Sequence, residues 1–64
     1  MNGTVRAFDE AKGVGVIVGA DDQSFVFQCI EIADGTRDVD VGQAVSFRLL
    51  PRFGVFQAGA IEKR

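Results

Sequence analysis

Side chains able to do covalent or acid–base chemistry are scarce in this chain. It has no His and a single Cys, Cys29, so the commonest general base is missing and one thiolate cannot build a zinc site; inventory alone excludes metal and Cys/His chemistry. The acid pairs Asp9/Glu10 and Asp21/Asp22 have the residue types of a proton-transfer dyad. Each lies in a polar stretch bounded by Gly, where such residues form turns, and nothing in the spacing gathers them around one pocket. Cys29 reads as a small buried or half-buried hydrophobe, because a reactive thiol wants a cationic neighbourhood and Glu31 stands nearby. The expectation is a protein that is not an enzyme and has no cofactor.

Recognition chemistry remains. Arg6, Lys12, Arg37, Arg48 and Arg52 are spread among β-branched and Phe residues, the mixture that meets phosphates and bases. Seven basic against nine acidic residues give a net charge of −2 and a pI near 4.8, so the chain as a whole does not attract polyphosphate. A nucleic-acid role requires local clustering of those cations against an adverse mean field.

The elements that must position these residues are short strands. Sixty-four residues make one domain, 1–64, and at this size a chain buries only about 60% of its unfolded surface, so its core has to be compact and closed. An apolar fraction of 47% and a mean hydropathy of +0.16 supply such a core. No disulfide framework, apolar leader or long apolar run is present, which reads as a soluble, cytoplasmic protein without a membrane partner. In Lys12-Gly13-Val14-Gly15-Val16-Ile17-Val18-Gly19 two glycines alternate with β-branched residues, the pattern of a strand that coils sharply or lets another backbone approach. Alternation places Gly15 and Ile17 inward and Val14, Val16 and Val18 outward. Phe25-Val26-Phe27-Gln28-Cys29 is its neighbour, with Phe25 and Phe27 inward and Val26 and Gln28 outward. A first strand, Gly3 to Phe8, joins through the turn at Asp9 to Gly13, and Gly19 to Gln23 is the next turn.

Ile30 to Ala33 reads as a short helical turn and Asp34 to Gly42 as a polar crossover. Ala44 to Leu50 is a strand with Val45, Phe47 and Leu49 inward; Pro51 to Gly54 is a turn, Val55 to Ile61 a last strand interrupted by Gly59, and Glu62 to Arg64 a solvated end. Five short strands without helical periodicity predict an all-β fold, a five-stranded antiparallel barrel whose closure removes exposed edges.

Gly3-Thr4-Val5-Arg6-x-Phe8-x-x-x-Lys12-Gly13-x-Gly15, the Phe-Val-Phe strand, and Gly42-Gln43-Ala44-Val45-Ser46-Phe47 together resemble the bacterial cold-shock domain over nearly the whole chain. The resemblance implies an OB-type barrel that binds single-stranded RNA or DNA by stacking bases on an aromatic sheet face, and opens weak RNA hairpins by trapping unpaired strands. The family's stacking positions are largely replaced. Ala7 stands where the family has Trp, Val14 and Val16 where its first motif has Phe, and Val26, Gln28 and Cys29 where its second has Phe, His and Phe. The loop from Asp34 to Val41 is about one residue shorter and lacks an aromatic. Arg6, Phe8, Lys12 and Gln57 are kept.

Stacking on an aromatic is worth about 1–3 kcal/mol per base, so losing about four contacts at the low end weakens binding by roughly three orders of magnitude. The expected nucleic-acid face is Arg6, Phe8, Lys12, Val14, Val16, Val26, Gln28, Arg48, Arg52 and Gln57. Arg6 and Lys12 meet phosphates, and Phe8 is the retained stacking surface. Phe53 and Phe56, beside Arg52, are either replacement aromatics or core. The alternative expectation is a protein partner or a homodimer through the valine-rich sheet face, since a contiguous apolar patch on a small protein marks interaction.

Overall fold

A computed structural model describes residues 1–36, 38–52 and 54–64. Five strands, β1 (Asn2–Asp9), β2 (Val14–Gly19), β3 (Ser24–Gln28), β4 (Ala44–Arg52) and β5 (Val55–Lys63), close into a barrel in the order β1-β2-β3-β5-β4. This is the all-β, five-stranded closed barrel expected from the alternation, and it is consistent with the OB type that the resemblance implies. Strand directions cannot alternate all the way round a ring of five, so one join has to be parallel. Here it is β3 with β5, which meet at the single pair Phe27↔Ala58. The other four joins are antiparallel.

Alternation selects the core as expected. Val5, Ile17, Phe27, Val45, Phe47 and Ile61 are enclosed, Phe25 and Leu49 pack against them, and Val14, Val16 and Val18 face outward. Gly15 belongs to the inner row because there is no room for a side chain: a Cβ there would lie 2.5 Å from the Phe27 ring and 2.7 Å from the Ala7 carbonyl oxygen. Gly13 serves the turn instead, with φ +67°.

Strict alternation fails once in β1. Val5 pairs with Ile17 and Ala7 with Val16, so Arg6 is an extra residue in the strand. Such a bulge reverses the phase of the residues beyond it. Val5 and Phe8, three apart, therefore both point inward, while Arg6 and Ala7 are both exposed.

The crossover holds two features that its polarity hides. Cys29–Glu31 is the expected short turn, of 3-10 type, and Ile32 bridges Ile61. Val39 then drops into the core from the middle of the loop. The far end of the chain also departs from expectation. Pro51 and Arg52 continue β4, paired with Phe56 and Val55, and Glu62 and Lys63 continue β5, paired with Ser46 and Val45. The pairing gains a residue on β5 between Gly59 and Glu62, and Ala60 there has φ +49°. That bulge bends β5 round the barrel and keeps it on β4 to its end, so the last residues are sheet rather than a free tail. The reading of Phe53 as core or replacement aromatic, and the place of Arg37 among the cations, lie outside the described residues.

Candidate nucleic-acid interface

Register across β1, β2 and β3 sorts the outer face into three rows: Asp9, Val14 and Gln28; Ala7, Val16 and Val26; Thr4, Val18 and Ser24. The middle row is wholly apolar. Val14 and Val26 are 37% and 44% exposed, enough for either to touch a ligand without rearrangement. Bulged Arg6 stands beside this row, and its exposed guanidinium forms no ion pair among the described residues.

Lys12 is presented by the β1–β2 loop, whose shape is set locally. The Asp9 carboxylate accepts the Lys12 N–H at 3.1 Å and the Asp9 carbonyl accepts the Gly13 N–H at 2.8 Å. The Gly13 carbonyl then accepts the Cys29 N–H at 2.7 Å, tying the loop to the end of β3. Cys29 is half-buried, close enough to Gly13 that a Cβ there would meet its Sγ at 2.8 Å. The sulfur thus packs under the loop, as expected for a small hydrophobe.

Gln57 flanks the face on β5. Ala58, the next residue, is buried opposite Phe27, so Gln57 points outward beside β3, half-exposed. The remaining expected residues are not gathered here. Phe8 pairs with Gly15 in the inner row, and its ring lies 5.9 Å from that of Phe27 with the planes 3° apart. It is half-buried core, and the Arg6 bulge that exposes Ala7 is what turns it inward. Arg48 is on β4 opposite Gly59, in another wall of the barrel. Arg52 is held: its Nη2 lies 3.3 Å from Oε2 of Glu31.

Glu31 is the residue that sequence reading misses. Its Oε1 accepts the Ala60 N–H at 3.2 Å, so one carboxylate satisfies the β5 bulge and pairs with a cation from β4. Those partners are 29 and 21 positions away, and no local pattern announces them. The sequence leaves Phe56 open between replacement aromatic and core. It is 61% exposed at the start of β5, which settles its alternatives against core. A second carboxylate, Asp34, closes the crossover: it accepts the Thr36 N–H at 3.0 Å and hydroxyl at 2.8 Å, and pairs with Lys63 at 3.0 Å. These contacts, the Thr36 N–H foremost, hold its pKa down at about 2.

The arrangement brings together an apolar strip, the amides of Gln28 and Gln57, and the cations Arg6 and Lys12, which form no ion pair among the described residues. Among the described residues no helix is long and apolar enough to cross a membrane. Comparison of the chain with protein-family models and with curated proteins gives no match.

Proposed function

We propose that this barrel is a cold-shock-like protein of the cytoplasm that binds single-stranded RNA or DNA weakly on the outer face of β1, β2 and β3. The observation carrying this reading is the register: Val14, Val16, Val26 and Gln28 share one sheet face, with Arg6 and Lys12 at its margins. OB-type barrels take oligonucleotides on the face of strands 2 and 3 and on the loops joining strands 1–2 and 4–5. The Val16–Val26 row supplies apolar contact to bases, Gln28 and Gln57 hydrogen-bond base edges, and Arg6 and Lys12 neutralise phosphates. Two phosphate contacts give a shallow salt dependence, a slope near −1.4 in log affinity against log salt for a single strand. Valines stand where a stacking face would carry rings, which sets the affinity low.

An amide chemical-shift titration with a short oligopyrimidine at low salt tests this. Shifts should concentrate at Lys12 to Val16 and Val26 to Gln28. No shift up to millimolar concentration, or shifts confined to β4, would refute it.

The adjacency of exposed Val14 and Val26 with half-buried Val16 on one sheet face favours a second reading, self-association through the same face. Light scattering over a concentration series discriminates. A dimer that Val16→Asp dissociates supports self-association; a strict monomer indifferent to that substitution removes it.

A further inference from the structure

We infer that Glu31 holds down the affinity of this face by neutralising Arg52, and that a bound strand competes with Glu31 for the Arg52 guanidinium. The inference rests on the nucleic-acid reading above and identifies what regulates that site. Arg52 ends β4, yet its side chain reaches Glu31, which lies in the 3-10 turn that leaves β3 directly after Gln28. Glu31 thus stands three positions along the chain from Gln28, just past the end of the platform strand β3, and draws Arg52 to that end.

The geometry makes the pair exchangeable. One contact of 3.3 Å joins the two groups, where a tight guanidinium–carboxylate pair uses two shorter, parallel bonds. The Arg52 side chain is 37% exposed and that of Glu31 22%, so an incoming phosphate reaches the guanidinium through solvent. The pair is half-buried and joined by a single contact, and a phosphate that can accept a two-pronged contact replaces one carboxylate oxygen on favourable terms. Glu31 does not depend on Arg52 for its place, because Oε1 also accepts the Ala60 N–H. Exchange thus frees the cation and leaves the carboxylate anchored, still repelling the strand.

Glu31→Gln separates these roles, since the amide oxygen can still accept the Ala60 N–H while the charge is removed. Wild type, Glu31→Gln, Arg52→Gln and the double variant are titrated with fluorescein-labelled oligothymidylate at several salt concentrations. Glu31→Gln should bind about three- to tenfold more tightly at low salt, with a slope steeper by up to about 0.7, the value of one full phosphate contact on a single strand, because Glu31 lets wild type engage Arg52 only part of the time. Arg52→Gln alone should change affinity less than twofold, and the double variant should lose the gain.

Wild-type protein offers a measurement that does not depend on how the variants fold: the Arg52 Nε–H resonance should move as the oligonucleotide is added. Binding by wild type with a stationary Arg52 signal, or with an unchanged slope in a folded Glu31→Gln, overturns the exchange and leaves the binding face standing. Absence of binding by every form, Glu31→Gln included, overturns both.

Discussion

Val16 and Val26 lie directly opposite each other across β2 and β3, and putting Phe at either position is the most direct test of the proposal that this face binds single strands weakly for want of aromatic rings. Both side chains point away from the core; Val26 is 44% exposed, so a larger side chain there extends into solvent, whereas Val16 is half-buried and a ring there also packs on its neighbours. Phe and Val both suit a pleated surface, and the change in stability should stay within about 0.5 kcal/mol. A ring at either site offers one base a stacking partner worth about 1–3 kcal/mol, or about 5- to 150-fold in affinity. The two sites are cross-strand neighbours with Cβ atoms about 5 Å apart, so their gains should not simply add.

Anisotropy of a labelled oligopyrimidine measures the gain. Val16→Leu is the control, because Leu adds apolar area without a π face. Val16→Phe or Val26→Phe should bind at least about fivefold more tightly than wild type, and Val16→Leu should stay near it. If the folded Phe variants bind no better than the Leu control, stacking is not what this face lacks, and the account of its weakness fails.

Three other positions carry measurable consequences of the same geometry. Gly15→Ala drives a methyl group into the Phe27 ring and the Ala7 carbonyl and should cost about 2 kcal/mol or more in urea unfolding; a loss under about 0.5 would mean that the barrel relaxes there at little cost. Ala60→Gly relieves a left-handed Ala at φ +49° and should stabilise by about 0.5–1 kcal/mol after the entropic cost of Gly, read as a rise in the urea midpoint; a fall would show that the bulge is not strained. Asp34 has its folded pKa depressed to about 2, below an unfolded value near 3.9. Its stabilising effect is thus complete above about pH 4 and lost as pH falls toward 2. Carboxyl NMR should titrate Asp34 near 2 in wild type and higher in Thr36→Val; an ordinary carboxylate midpoint in wild type refutes the Thr36 hydrogen bonds as its cause.

Period-two alternation reports which side of a sheet each residue takes, and it was legible wherever a strand was regular. The assignments of Gly15, Ile17, Phe27, Val45 and Phe47 to the interior and of Val14, Val16 and Val26 to the surface rest on it. It fails where a strand gains a residue. The Arg6 bulge moves Phe8 from candidate platform to core, and its own sequence, Thr4-Val5-Arg6-Ala7, has no glycine or proline to mark it. Val39 was illegible for another reason: a lone apolar residue between Asp38 and Asp40 has no periodicity to read. Contacts made by long side chains between distant segments, as with Glu31 and Arg52, leave no local trace at all.

The same alternation explains how a fold and its ligand surface can part company in one short segment. Along β2 the inner positions Gly15 and Ile17 meet Phe27, Val5 and Phe25, and their sizes are constrained by contact. The outer positions Val14 and Val16 are constrained only by strand propensity and by whatever binds them. Exchange of an aromatic for valine on the outer side costs the barrel little, because both residue types favour strands and neither packs in the core. It costs a base-binding face its largest single contribution. Resemblance carried by Lys12-Gly13-x-Gly15 and Ile17 therefore speaks for the barrel, whereas the strength of the proposed binding would be set by the alternate residues. Titration of the outer-face variants measures that second half independently, since a change there that also unfolded the barrel would contradict the separation.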